Sequence, residues 1–386
     1  GMSEATTRRK RILLGQLAAR GDCLYATAIA RQIKADYPEC HLTWAVGSAS
    51  RPVLDGNPYI DAIWEIPIAH YGELAPAWAY LRSTAAELLA KGEFDEAFFP
   101  QIDPENFRNY DCTIRASIFR GYPRPITVPL APVMRLYETE VAHVREFAQM
   151  HRLADHAPVI LFEFASHSEQ SFVTTDFAYE TCREIAAQLP DCRIVMSSQI
   201  EIVSNDPHII SGHTLSFREN AELTKYCSLL VGCSSGITWL ATSDWAKPLP
   251  MIQLLRKDKG TYASVVHDHE HFGLPTDHVL EMTDCPREDV VNCVVTAVRN
   301  GFAEAKKLYH RQLQPDFTFY VPKIKSMIAK RGYRDVLQSN RFILQRYGLT
   351  PAVFKLQRAT LRAKGLHPDA LVMTATPIPR TLALTI

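Results

Sequence analysis

Residues 11–34 read RILLGQLAARGDCLYATAIARQIK. Residues 12–17 are a mostly apolar run of strand length, and Tyr25, Ile29 and Ile33 recur at helical spacing with Leu24 and Ala28 beside them. The pattern predicts strand, loop, helix. In the loop, Gly21 is free to take a turn conformation closed to other residues, and Asp22 is placed to cap the helix. A carboxylate there stands at the carboxyl end of a parallel strand, where open α/β sheets bind their ligands. Geometry alone leaves two roles open for Asp22, a helix cap or a group that faces a ligand.

Outward from this unit, the pattern repeats. Strands are expected at 41–46, 62–66 and 96–99, with a long helix over 74–91. Prolines 123, 125, 129 and 132 make residues 122–132 a surface loop. A helix over 136–152 and a short polar link at 154–158 then lead to a second series. This one has strands at 159–164, 193–197, 228–231 and 251–255 and helices at 179–189, 220–226 and 237–245. Strand alternating with helix at this spacing argues for parallel sheets covered on both faces. At 386 residues the chain exceeds one ordinary core, and two α/β halves of about 150 residues each are expected, with a substrate site in a cleft between them.

Forty-two basic residues balance forty-two acidic ones, so no global field draws the chain to nucleic acid or to an anionic membrane, and local patches must carry any such attraction. The basic run Arg8 to Arg11 reads as the solvated start of a strand, with contact to anionic lipid as the alternative. Nine scattered cysteines, none in a CxxC spacing, fit reduced thiols in a cytosolic protein rather than a disulfide frame or a zinc site. With no signal peptide and no apolar run near the length of a membrane span, a soluble cytoplasmic protein is expected.

Two loops carry the chemistry of an anion site. Gly232-Cys233-Ser234-Ser235-Gly236 follows a strand and opens a helix, so backbone N–H groups and the positive helix end would face an anion, with Ser234, Ser235 and Thr238 adding hydroxyls. The loop Ala165-Ser166-His167-Ser168-Glu169-Gln170-Ser171 is similarly rich in donors, and Arg256, Lys257 and Lys259 could supply cations to a diphosphate. His267, His269 and His271 lack a second ligand group at a standard spacing and read as a polar loop rather than a metal site. Walker A, GxGxxG and GxSxG motifs are absent from the sequence.

With these pieces placed, the chain resembles the family 9 glycosyltransferases, the bacterial heptosyltransferase-like enzymes of lipopolysaccharide synthesis, over most of its length. The match is sharpest at RILLGQLAARGDCLYATAIARQIKADYPECHLTWAVG, similar to the family's first strand, loop, helix and second strand, and at CSLLVGCSSGITWLATSDWAKP, similar to its donor segment. Where the family reads NDSGPMHLA, Ser234 stands in place of an acid and Trp239 in place of a histidine; Arg20 replaces a common leucine. The resemblance implies an α/β GT-B architecture of two Rossmann-like domains facing a cleft. An acceptor domain would span 1–154 and a nucleotide-sugar domain 155–310, with helices over 311–355 packing back on the first domain.

It further implies an inverting transfer with Asp22 as the base and Arg20 and Gly21 in the acceptor loop. Ser166, His167, Ser168, Ser171, Ser234, Ser235, Gly236, Thr238 and Arg256 would surround the donor, and no metal or other cofactor is required. The expected partners are a nucleotide-sugar donor and a lipopolysaccharide-type, lipid-linked or other glycan acceptor, with peripheral contact at the inner face of the cytoplasmic membrane and no nucleic acid. A nucleotide-sugar epimerase or a catalytically silent nucleotide-sugar binder are the alternatives. Residues 356–386 change character, and MTATPIPRT at 373–381 resembles a RecG-type helicase motif. Without the rest of a helicase motor it reads as a non-functional remnant.

Overall fold

A computed structural model describes residues 8–165 and 169–366. Thirteen α-helices, ten strands and several short 3₁₀ helices make up their regular structure. Among the described residues, the first compact unit comprises 8–135 and 320–366, and the second 136–165 and 169–319.

In the first unit, β1 (Arg11–Gly15) leads into α1 (Arg20–Asp36), followed by β2 (His41–Gly47), β3 (Ala62–Ile66), α2 (Leu74–Ala90), β4 (Glu96–Phe98) and α3 (Arg115–Phe119). The four strands form one parallel sheet in the order β3-β2-β1-β4, with Leu13 opposite Thr43 on one side and Ala97 on the other. Ile12, Leu13 and Leu14 are fully buried because both faces of this central strand are covered. Leu13, Leu17, Ala45, Trp78 and Leu81 join one apolar cluster between the sheet and α2.

The second unit contains α4 (Glu138–Met150), β5 (Val159–Glu163), α5 (Thr175–Gln188), β6 (Arg193–Ser197), β7 (Ile209–Ser211), α6 (Glu219–Leu223), β8 (Leu229–Gly232), α7 (Gly236–Leu240) and β9 (Met251–Leu255). It continues through α8 (Val265–His271), β10 (Val279–Thr283), α9 (Arg287–Asn300) and α10 (Phe302–Tyr309). Its six strands are again all parallel, in the order β10-β9-β8-β5-β6-β7. A core including Ile160, Phe162, Ile185, Val231, Ile252 and Val294 lies between the sheet and its helices.

The chain then returns to the first unit as α11 (Val321–Ala329), α12 (Tyr333–Tyr347) and α13 (Pro351–Ala363). Two buried polar links fasten this return. The Ser339 hydroxyl donates to the Tyr110 carbonyl at 2.6 Å and lies 2.7 Å from the Tyr320 hydroxyl. Asp111, fully buried, meets Arg346 at 3.1 Å and Arg120 at 3.0 Å while accepting hydrogen bonds from Thr113 and Ser117.

The structure departs from the sequence reading at several elements. The helix after β1 begins at Arg20, with Ala19 as its extended N-cap, so Asp22 sits in the first turn and is not the cap. Gly21 is helical and needs no left-handed conformation. The histidine-rich stretch is helix α8 rather than a loop: the Ser264 hydroxyl accepts from the His267 N–H and caps it. Lys10 pairs with Glu96 at 2.7 Å, Arg8 with Asp95 at 3.6 Å and Arg9 with Asp61 at 3.8 Å, so the basic run is matched by carboxylates at the sheet margin. The final segment is helical through Ala363, with Gln357 buried in α13. The helicase-like stretch 373–381 lies outside the described residues. No described helix is long and apolar enough to cross a membrane.

Candidate active site

Both sheets have a point where the chain order reverses, and the chemistry-bearing loops flank it in each. In the first unit the order runs from β1 through β2 to β3 on one side and places β4 on the other. The loops leaving β1 and β4 therefore meet at the switch point, the place where open parallel sheets form a ligand crevice. Gln101 joins them. Its Oε1 accepts the Leu17 N–H at 2.6 Å and the Ala18 N–H at 3.2 Å, and its Nε2 donates to the Asp103 carbonyl at 2.7 Å. Asn106 braces the same loop by donating to the carbonyls of Phe99 and Gln101.

Asp22 rises from this arrangement as a half-buried residue whose carboxyl has no hydrogen bond or ion pair among the described residues. Burial against the surrounding protein pushes its pKa up to about 7, and the nearby charge of Asp103 pushes in the same direction. A first-turn position would by itself favour the anion. Desolvation outweighs it here. Asp103 accepts a hydrogen bond from the Tyr71 hydroxyl at 2.7 Å and has the Lys323 ammonium 3.7 Å away. Burial and then the charge of Asp103 hold the Tyr71 phenol in its neutral form. A Cβ placed on Gly21 would meet nothing within 4 Å, so the turn that carries Asp22 has open space over it. Arg20 donates from Nε to the Ala49 carbonyl at 3.1 Å.

An unpartnered carboxyl that titrates near neutrality at the switch point of a parallel sheet can serve as a general base. Asp103 and Tyr71 carry no motif. Only the topology brings them to Asp22, from about 80 and 50 residues away along the chain.

In the second unit the order reverses between β5 and β8, and the two donor-rich loops leave those two strands. Gln170 links them, donating from Nε2 to the Ser234 carbonyl at 2.9 Å, while its own carbonyl accepts the Arg256 N–H from the loop after β9. The turn after β8 is organised by a residue that sequence reading passed over. Glu163, at the end of β5 and buried, accepts the N–H groups of Cys233 and Ser235 at 3.0 Å each and of Thr238 at 2.7 Å. It also accepts the Thr238 hydroxyl at 2.9 Å. The carboxylate thus fills part of the anion-binding turn from within.

This arrangement sorts the expected donor residues. Ser234 is buried, with its backbone at φ +56°, and its hydroxyl donates to the Ala263 carbonyl at 2.5 Å. Thr238 is buried against Glu163. Ser235 and Gly236 remain partly exposed at the opening of α7. Ser171 is nearly buried and its hydroxyl accepts the Val173 N–H at 3.3 Å. Arg256 is held by both oxygens of Asp258, at 3.1 and 2.9 Å, and Lys259 by Glu169 at 2.7 Å. Ser166, His167 and Ser168 lie outside the described residues. In α8, His267 directs Nε2 to the Leu313 carbonyl and His269 directs Nδ1 to the Pro275 carbonyl. Among the described residues there is no group of three metal-ligating side chains.

No protein-family model matches the sequence, and no curated protein matches it. Solved structures do resemble the chain. A glycosyl transferase family 9 protein from Veillonella parvula DSM 2008 superposes with a TM-score of 0.52 at 15% identity, over 73% of this chain and 87% of that one. Escherichia coli ADP-heptose lps heptosyltransferase II gives 0.47 at 13%, over 73% and 96%. Escherichia coli heptosyltransferase WaaC with ADP gives 0.43 at 14%, over 77% and 99%. The first likeness, together with the two parallel sheets, shows an α/β fold of the GT-B type.

Proposed function

We propose that the chain is an inverting glycosyltransferase that moves a sugar from a nucleoside-diphosphate donor to a hydroxyl of a lipopolysaccharide-type or other glycan acceptor, at the cytoplasmic face of the membrane. The observation that carries this reading is the Asp22 carboxyl, unpartnered, placed at the first unit's switch point and raised to a pKa of about 7. In the proposed step Asp22 takes the acceptor hydroxyl proton as the oxygen attacks the anomeric carbon. The bond from that carbon to the phosphate oxygen breaks on the opposite side of the ring, which inverts the centre, and the nucleoside diphosphate departs with the electron pair.

The departing diphosphate needs donors for its growing charge, and the proposal gives this task to the second unit's switch point without requiring a metal ion. Ser235 and the N–H of Gly236 are the available groups of the serine turn, while Glu163, Ser234 and Thr238 hold its shape. Ser166, His167, Ser168, Ser171 and Arg256 complete the proposed donor side. Arg20 and Gly21 shape the acceptor side beside Asp22. A silent binder would have no use for a carboxyl tuned toward neutrality. The test is release of nucleoside diphosphate from ADP-, GDP- and UDP-sugars, with and without saccharide acceptors, in the wild type and in Asp22→Asn. Acceptor-stimulated release lost in the variant supports the assignment; release unchanged by the substitution removes Asp22 from the reaction.

A further inference from the structure

The chain is neutral overall, but its charges are not evenly spread. Residues 321–366 contain eleven lysines and arginines and a single acidic residue, Asp335, leaving the remainder of the chain correspondingly acidic. Of these cations, Arg346 is spent on Asp111 and Lys323 lies by Asp103. Lys364 sits over the Tyr333 ring and Arg358 over that of Phe354. The other seven, Lys325, Lys330, Arg331, Arg334, Arg341, Lys355 and Arg362, are exposed and have no ion pair among the described residues.

Their spacing is that of helix faces. Arg334 and Arg341 lie seven residues apart on α12, and Lys355 and Arg362 seven apart on α13, so each pair shares one outward side. The three helices pack on one another, and Ile324, Ile328, Val336, Ile343, Val353, Leu356 and Leu361 are their buried apolar positions. Two exposed leucines, Leu349 and Leu366, flank the ends of α13. No large aromatic side chain is exposed on these helices. That pattern differs from the N-terminal basic run, where Arg8, Arg9 and Lys10 each have a carboxylate partner.

We propose that the exposed faces of α11, α12 and α13 form a docking surface for an anionic phospholipid bilayer. Unpaired cations on a rigid helical bundle match the charge of such a surface, and flanking leucines can enter its headgroup boundary. A single-stranded nucleic acid would instead call for exposed aromatic platforms for its bases, which this segment lacks. The inference stands on charge placement and does not depend on the transferase reading.

The full-length protein is sedimented with vesicles of phosphatidylcholine alone or with about a third phosphatidylglycerol, at low and high salt, and its partition is compared with binding to labelled RNA and duplex DNA at equal phosphate concentration. The expected result is a strong preference for the anionic vesicles that collapses at high salt. Substituting Lys325→Gln, Arg334→Gln, Arg341→Gln and Lys355→Gln together should lower that partition more than about a hundredfold, at roughly fivefold per cation near the surface. The control triple Arg8→Gln, Arg9→Gln, Lys10→Gln should leave it nearly unchanged. Absence of binding, equal affinity for neutral and anionic vesicles, an unaffected quadruple variant, or tighter capture of nucleic acid than of vesicles each overturns the proposal.

Discussion

The Tyr71 hydroxyl donates a 2.7 Å hydrogen bond to Asp103, the carboxylate whose charge helps keep the proton on Asp22. Three side chains from three separate stretches of the first unit are thereby coupled. Asp103→Asn removes the charge while keeping the shape. Asp22 should then titrate at lower pH, as read by carboxyl-carbon NMR of the labelled protein. Tyr71→Phe withdraws a donor from Asp103 and should shift Asp22 by less. An Asp22 midpoint that does not move in Asp103→Asn would separate the two carboxylates.

The raised pKa of Asp22 also fixes a sign for stability. Between the ordinary aspartate value and about 7 the unfolded chain has released this proton and the native one still holds it. The native state binds more protons in that window, so the Asp22 contribution to stability falls as pH rises through it. Asp22→Asn should flatten that slope and raise the melting temperature at neutral pH relative to wild type. Activity carries the opposite sign, because only the deprotonated carboxyl can accept the acceptor proton, and turnover should rise as pH passes through about 7. Melting curves and rates measured from pH 5 to 8.5 check both.

What residues 11–34 revealed was the placement of Asp22, because an apolar run followed by a helical repeat fixes where strand gives way to helix. The cap was misassigned there because glycine reads as a breaker, whereas Gly21 enters the helix and Ala19 supplies the extended entry. Glu163 left a signal that went unread: a carboxylate in the otherwise apolar strand VILFE must be paired when buried, and its partners are the N–H groups of the serine turn. Ser264 before VVHDHEH was likewise a legible N-cap, obscured by the density of histidines. Tyr71 and Asp103 were out of reach in principle, since their meeting with Asp22 depends on strand order and on the Gln101 link rather than on any local spacing.

Glu163→Ala should be among the most damaging changes in the second unit. It strands the N–H groups of Cys233, Ser235 and Thr238 and the Thr238 hydroxyl in a buried site. A loss of about 3 kcal/mol or more is expected, since hydrogen bonds to a charged group are each worth roughly 1.5–3 kcal/mol. Glu163→Gln keeps the shape and should lose about half as much. Both should weaken nucleotide-sugar binding, measured by thermal shift. Full stability in Glu163→Ala would show that the turn does not need its internal carboxylate.

Asp111 is the counterion of two guanidinium groups. Burial pushes its pKa up, but Arg346 and Arg120 outweigh burial and hold it below the usual carboxylate range. Its stabilising contribution is present above that range and is lost as pH falls through the depressed value. Asp111→Ala removes the buried carboxylate that faces the guanidinium groups of Arg346 and Arg120, which costs about 3–5 kcal/mol. Unfolding should start at the return of α12 to the first unit, visible as early hydrogen exchange in residues 333–347. Arg346→Met, which removes the charge and keeps the bulk, should cost less than Asp111→Ala. Equal losses in the two variants would contradict this account.

The most direct measurement is acceptor-stimulated release of nucleoside diphosphate by the wild type and by Asp22→Asn, with donor affinity followed in parallel by thermal shift. The account predicts that the substitution lowers the stimulated rate by about 10²–10⁴ while leaving donor binding intact. A variant that binds the donor and turns over at the wild-type rate would contradict the assignment of Asp22 as the base.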